Sequence, residues 1–191
     1  MTSELRVDAI KTVADGDALE FTTSGVRKYG NYSNTFTYPS ASTWTFGAVP
    51  SWANKITLIT HEVSQSSSGD VNLRFVVGGS AVTSAVYNHS EVRLTNATDP
   101  GLYGATDIDG TLATQLKITA FNNPLNQFGW MLTIYKVDTN KYVYNGLIQN
   151  DYYRYGNLVH GSIETSSHIE GFNFTCDAGN FDGGRARIFW E

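Results

Sequence analysis

About ten short runs of β-branched and aromatic residues, each cut off by Gly, Pro, Asn or Asp, limit what this chain can fold into. Examples are "TWTF" (Thr43–Phe46), "KITLITHEV" (Lys55–Val63), "VNLRFVV" (Val71–Val77), "FGWMLTIYKV" (Phe128–Val137) and "GRARIFW" (Gly184–Trp190). Turn signals such as Pro50-Ser51, Gly78-Gly79, Pro100-Gly101 and Asp109-Gly110 separate them. Short extended runs at turn spacing read as antiparallel strands of a sandwich or barrel. No stretch sustains a helical period, and the segment near Leu112–Ala113 is no exception. The predicted class is all-β.

Composition supports that class. Charged residues make up 16% of the 191 residues, below the roughly 25% usual in soluble domains. Ser, Thr, Asn, Gly and Tyr take their place, while helix formers such as Lys, Glu and Gln are scarce. In the run Lys55–Val63 both alternating sets hold apolar residues, which predicts a strand covered on both faces. The net charge of −5 offers no basic footprint for nucleic acid, and Arg74, Arg93 and Arg154 stand singly inside strand-like runs. No segment approaches about 20 apolar residues, the length a membrane helix needs. The first residues lack the basic start and apolar run of a secretory leader, so we expect cytoplasmic synthesis without secretion. The single Cys176 cannot form an internal disulfide and reads as a small buried hydrophobe.

The opening "SELRVDAIKT" (Ser3–Thr12) alternates apolar Leu5, Val7 and Ala9 with charged Arg6 and Asp8. A period of two marks a strand with one wet face. Little apolar material follows: Asp15-Gly16 signals a turn, Ala18–Phe21 a second short strand, and "TTSGVRKYGNYSN" an exposed connector. A terminal strand with no core behind it frays unless its free edge is added to another sheet. We therefore expect residues 1–35 to form an anchoring and oligomerisation arm with its connector. Leu5, Val7, Asp8, Ile10 and Phe21 would make the contacts. Residues 36–191 would form the sandwich, a double-sheet jelly roll.

Candidate chemistry is sparse. His61, His89, His160 and His168 stand at no metal-ligand spacing to one another or to the cysteine. The stretches Asp107–Gly110 and Asp177–Gly184 carry oxygen donors, yet neither matches an EF-hand loop, and Asp-Gly pairs serve as turns. No Gly-x-Ser-x-Gly elbow is present, and Glu62, Glu91, Glu164 and Glu170 fall in or beside strand-like runs as solvent-face charges. The expectation is no metal, no cofactor and no catalytic set. One excess remains, in "YVYNGLIQNDYYRYGN". Its Tyr142, Tyr144, Tyr152, Tyr153 and Tyr155 could stack on a sugar or bind a protein neighbour, since the ring is amphipathic and loses little entropy. Alternation sends about half of them inward as core.

Both ends resemble structural proteins of tailed bacteriophages, notably the tail-fibre and head-decoration proteins of marine phages. At the head the shared pattern is carried by Leu5, Val7, Asp8, Ile10, Gly16 and Phe21, with Gly25 after them. At the tail it is carried by Ile169, Gly171 and Phe172, then Phe181, Gly184, Arg185, Arg187, Ile188 and Phe189. The likeness spans roughly the first 25 and last 65 residues, and the long repetitive shaft of many fibres is missing. It implies a non-enzymatic virion protein, a tail fibre or related surface protein attached through its arm. The partners so implied are other virion proteins, sister copies in a trimer, and a host surface glycan or protein. The alternatives are a capsid decoration protein, or a carbohydrate-binding module or depolymerase. A depolymerase would need two carboxylates about 5–9.5 Å apart in a groove.

Overall fold

The computed structural model describes residues 18–22, 25–29, 36–47, 49–84, 86–94, 113–121, 127–150 and 155–191. All regular structure among them is antiparallel strand. The expected arm residues Leu5, Val7, Asp8 and Ile10 lie outside the described residues, as does the loop from Asp99 to Gly110.

The first two strands, β1 (Ala18–Thr22) and β2 (Gly25–Tyr29), form a sheet of their own, with Ala18 opposite Tyr29 and Phe21 opposite Val26. Ala18–Phe21 was expected to be extended; Gly25–Tyr29 was expected to be a connector. The structure corrects the second expectation. Only two residues separate Thr22 from Gly25, so ladder pairing closes at little entropic cost even where no apolar period announces a strand.

The remaining strands are β3 (Phe36–Thr37), β4 (Thr43–Gly47), β5 (Lys55–Gln65), β6 (Gly69–Val77), β7 (Ser80–Ala81), β8 (Tyr87–Leu94), β9 (Leu116–Phe121), β10 (Phe128–Asp138), β11 (Lys141–Asn150), β12 (Tyr155–Glu164), β13 (Gly171–Cys176) and β14 (Phe181–Trp190). Seven form one sheet in the order β3-β14-β5-β10-β11-β12-β8. The second sheet runs β4-β13-β6, and the far edge of β6 is shared by β7 and β9. Gly78 and Gly79 turn the chain between β6 and β7 with positive φ, a conformation glycine adopts without a Cβ penalty.

One aromatic-rich core lies between the sheets. Trp130 of the seven-stranded sheet meets Phe174 of the other at 5.9 Å between ring centroids, and Tyr144 meets Phe75 edge-on at 5.8 Å. Offset and edge-on rings are the favoured geometries, because each ring's positive edge finds a negative face. Phe75, Phe128, Phe172, Phe174 and Phe181 are fully buried, with Leu58, Leu73, Leu116 and Leu132. Tyr87 spans the core with its polar tip satisfied. The amide N–H of Phe75 donates to its hydroxyl at 2.8 Å, and the hydroxyl donates to the Val82 carbonyl.

Gly47 and Gly171 face each other directly across β4 and β13. A Cβ on either would lie within 2.7 Å of the other's backbone, so this pair sets how closely the two strands run.

Candidate interaction surface

Alternation gives each long strand of the seven-stranded sheet an inner and an outer set. On β10 the inner set is Phe128, Trp130, Leu132 and Ile134; the outer set is Met131, Thr133, Tyr135 and Val137. The second sheet covers the inner face. The outer face meets solvent. Strand β5 was expected to be covered on both sides, and the structure corrects this: Ile56 and Leu58 are buried, whereas Ile59 is 38% exposed.

Register organises the outer face into rows. One row crosses four adjacent strands as Ile59, Met131, Leu147 and Leu158, each directly opposite the next. These side chains are 38–50% exposed. Arg187 of β14 closes the row at one end, and the backbone of Val92 on β8 continues it at the other. The next row is neutral and polar: Thr57, Thr133, Asn145, His160 and Ser90, with Phe189 at the β14 end. His160 Nε2 and Ser90 Oγ share a 2.8 Å hydrogen bond within it. A third row holds Lys55, Tyr135, Val143, Ser162 and Asn88, and Glu191 pairs with Lys55 through backbone bonds and a 2.8 Å ion pair.

All seven large hydrophobic residues found exposed among the described residues lie on this one face: Ile59, Met131, Tyr135, Val137, Val143, Leu147 and Leu158. The outward positions of β10 and β11 in these three rows carry no charge. Beside the β10–β11 hairpin the face sinks into an open cavity of about 580 Å³, lined by Val137, Val143, Asn88, Ser162 and the Lys141–Glu164 pair. A contiguous exposed apolar patch is a candidate contact surface.

The tyrosines expected to bind a partner are not on it. Tyr142 and Tyr144 point inward and are 2% exposed, which corrects their assignment as contact residues. Burial raises the pKa of both phenols. Each hydroxyl is engaged: Tyr142 accepts from the Ile169 amide at 3.3 Å, and Tyr144 donates to the Asn88 carbonyl at 3.1 Å. Tyr152 and Tyr153 lie outside the described residues, and for Tyr155 only its place at the start of β12 is described.

Other candidates are accounted for by local bonds. Asp177 accepts from Asn72 Nδ2 at 2.8 Å and Asp182 from Ser64 Oγ at 2.5 Å, so both carboxylates tie the end of β13 and the start of β14 to their neighbours. Among the described residues no three His, Cys, Asp or Glu side chains gather as metal ligands. His61 lies 3.5 Å from Glu62 on the surface, and His168 bonds to Ser167. Cys176 is buried; lost solvation, helped by Asp177 and Asp182, pushes its thiol up to about 12.

No protein-family model fits the chain, and no curated protein matches it in sequence.

Proposed function

We propose that this protein is a non-enzymatic structural component of a bacteriophage particle, a short tail fibre or related surface protein. In this reading a jelly-roll body packs on neighbours and residues 1–35 attach it to the particle. The observation that carries the assembly role is the row Ile59–Met131–Leu147–Leu158, an apolar strip on a face that bears no charge at its centre. Leaving such a strip in water forgoes roughly 25 cal/mol for each Å² of apolar surface, which covering by another protein recovers.

Strand pairing supports a jelly roll. Take β3, β4, β5, β6, β9, β10, β13 and β14 as eight strands in chain order. The first pairs with the eighth, the second with the seventh, the third with the sixth and the fourth with the fifth. That nested pairing is what a long antiparallel hairpin has when it is rolled into two facing sheets. The other strands lie outside the eight: β7 flanks β6, while β11, β12 and β8 widen one sheet. Jelly rolls serve in viral capsids and in lectins, so the particle assignment itself rests on the terminal motifs and on fold analogy.

A carbohydrate-binding role is the weaker alternative. Sugar sites stack rings on aromatic side chains, and Tyr135 is the one aromatic among the seven exposed hydrophobics.

Mass spectrometry of purified particles from a phage carrying the gene tests the proposal. The protein should be present at stoichiometric copy number, and a chain lacking residues 1–35 should be lost from particles. Its absence from particles, or release of reducing ends from host polysaccharide by the pure protein, would overturn the reading.

A further inference from the structure

The occupant of the outer sheet face can be taken further. We infer that it is a second copy of this chain, packed face to face about a twofold axis lying along the row Thr57–Thr133–Asn145–His160. The inference rests on the assembly role only in assigning this face to protein contact.

Three observations select a second copy. The first is self-complementarity. A twofold along the central row lays each strand over its own counterpart with the flanking rows exchanged. At the centre Met131 then meets Tyr135 of the second copy and Leu147 its Val143, apolar on apolar; to either side Ile59 lies over Lys55 and Leu158 over Ser162. The axial row meets itself with hydroxyl, amide and imidazole groups, which can donate and accept, and with the Phe189 ring at the β14 end.

The second is charge. Arg187 on β14 and Glu191 just past its end stand in opposite flanking rows, and both are exposed, Glu191 beside Lys55 in its own copy. The same operation places Arg187 of each copy over Glu191 of the other, twice in one dimer. At the far end of β11 it sets Gln149 of the second copy over Lys141 at the rim of the cavity.

The third is size. Each outward residue occupies about 33 Å² of sheet plane, from spacings of about 4.8 Å between strands and about 6.8 Å between rows. Three rows across β14, β5, β10, β11, β12 and β8 thus offer roughly 600 Å² from each copy, about 1,200 Å² in all, the lower end of a standard interface. Aligned sheets pack about 10 Å apart with strands within about 30°, which a slightly oblique twofold supplies. A threefold axis would instead press this face against a different surface, and the exposed hydrophobics described all lie on this one.

Sedimentation equilibrium of the full chain is the test, because it reads self-association without reference to particles. A species of about twice 21.0 kDa is expected. Leu147→Glu and Met131→Lys, each checked for native circular dichroism, should each weaken the dimer at least 100-fold. Asn145→Cys places one thiol from each copy across the axis, and a short bismaleimide of about 8 Å reach should link them; Gln149→Cys, distant from the axis, should stay unlinked. A monomer at high concentration, a trimer, or a dimer that ignores both charge substitutions and does not link through Asn145→Cys overturns the inference. Either outcome leaves the content of particles a separate measurement.

Discussion

The ring of Tyr144 stands over Gly161 on the neighbouring strand, and its hydroxyl donates to the Asn88 carbonyl one strand further on, at 3.1 Å. A Cβ at position 161 would fall 2.5 Å from the Tyr144 oxygen and 2.1 Å from the Asn88 oxygen. This contact ties β11, β12 and β8 into one unit under the apolar face. Gly161→Ala therefore forces the ring or the β8 edge to move, and thermal denaturation should show a loss of about 1–3 kcal/mol. Tyr144→Phe keeps the ring and removes one hydrogen bond, so a smaller loss of about 0.5–1.5 kcal/mol is expected. An equal or larger loss for Tyr144→Phe would mean the bond, and not the fit, holds the three strands.

Met131 and Leu132 are neighbours in sequence on opposite faces of β10, one 50% exposed and the other fully buried. Leu132→Ala opens a cavity between the sheets and should cost about 2–5 kcal/mol in urea titrations. Met131→Ala, measured at concentrations low enough to favour monomer, should stay within about 0.5 kcal/mol. Comparable losses at both positions would place Met131 in a packed environment within its own chain.

Buried acids set an alkaline limit: Cys176 and Tyr87, with Tyr142 and Tyr144 shifted in the same direction. Burial pushes the Cys176 thiol from its ordinary 9.0, and the Tyr87 phenol from its ordinary 10.0, each up to about 12. The unfolded chain releases these protons first, so the contribution of these two groups is constant below about pH 9 and falls as pH rises from there towards 12. The slope is at most about 1.4 kcal/mol per pH unit for each group. Urea midpoints between pH 8 and 11 should trace this fall, and Cys176→Ala should flatten its early part. A flat profile in the wild-type protein would contradict the burial of both groups.

The two-stranded sheet β1–β2 pairs with itself, and its strands share no ladder with the sandwich. A chain beginning at Phe36 should accordingly keep its far-ultraviolet circular dichroism, with a melting temperature within a few degrees of the full protein. A cooperative loss of structure on that truncation would show residues 1–35 to be part of the fold.

The strands were legible because their signals are local. Period-two runs such as Lys55–Val63 and Gly184–Trp190 carry their own extended bias, and Gly78-Gly79 ends β6 where its positive φ demands glycine. Strand β2 was missed because a short ladder needs only backbone groups, which leave no mark on side-chain pattern. The lone Cys176 was read correctly as a buried hydrophobe, since nothing near it in sequence offered another use.

The exposed apolar face was not legible for a different reason. Alternation divides Tyr142, Tyr144 and Ile148 from Val143 and Leu147 on β11, yet it does not say which set another sheet covers. Hydrophobicity alone favoured neither side, and tyrosine content drew attention to the inner one. The second sheet decides, because only the face it packs against is dried, and its position follows from pairings such as β4 with β13 and β6 with β9 that join residues far apart in the chain. By itself the sequence determined that this protein is built of strands, and where most of them start and stop. Which residues those strands bury, and which apolar row they leave in water, was decided by the tertiary structure, since burial belongs to the apposition of two sheets.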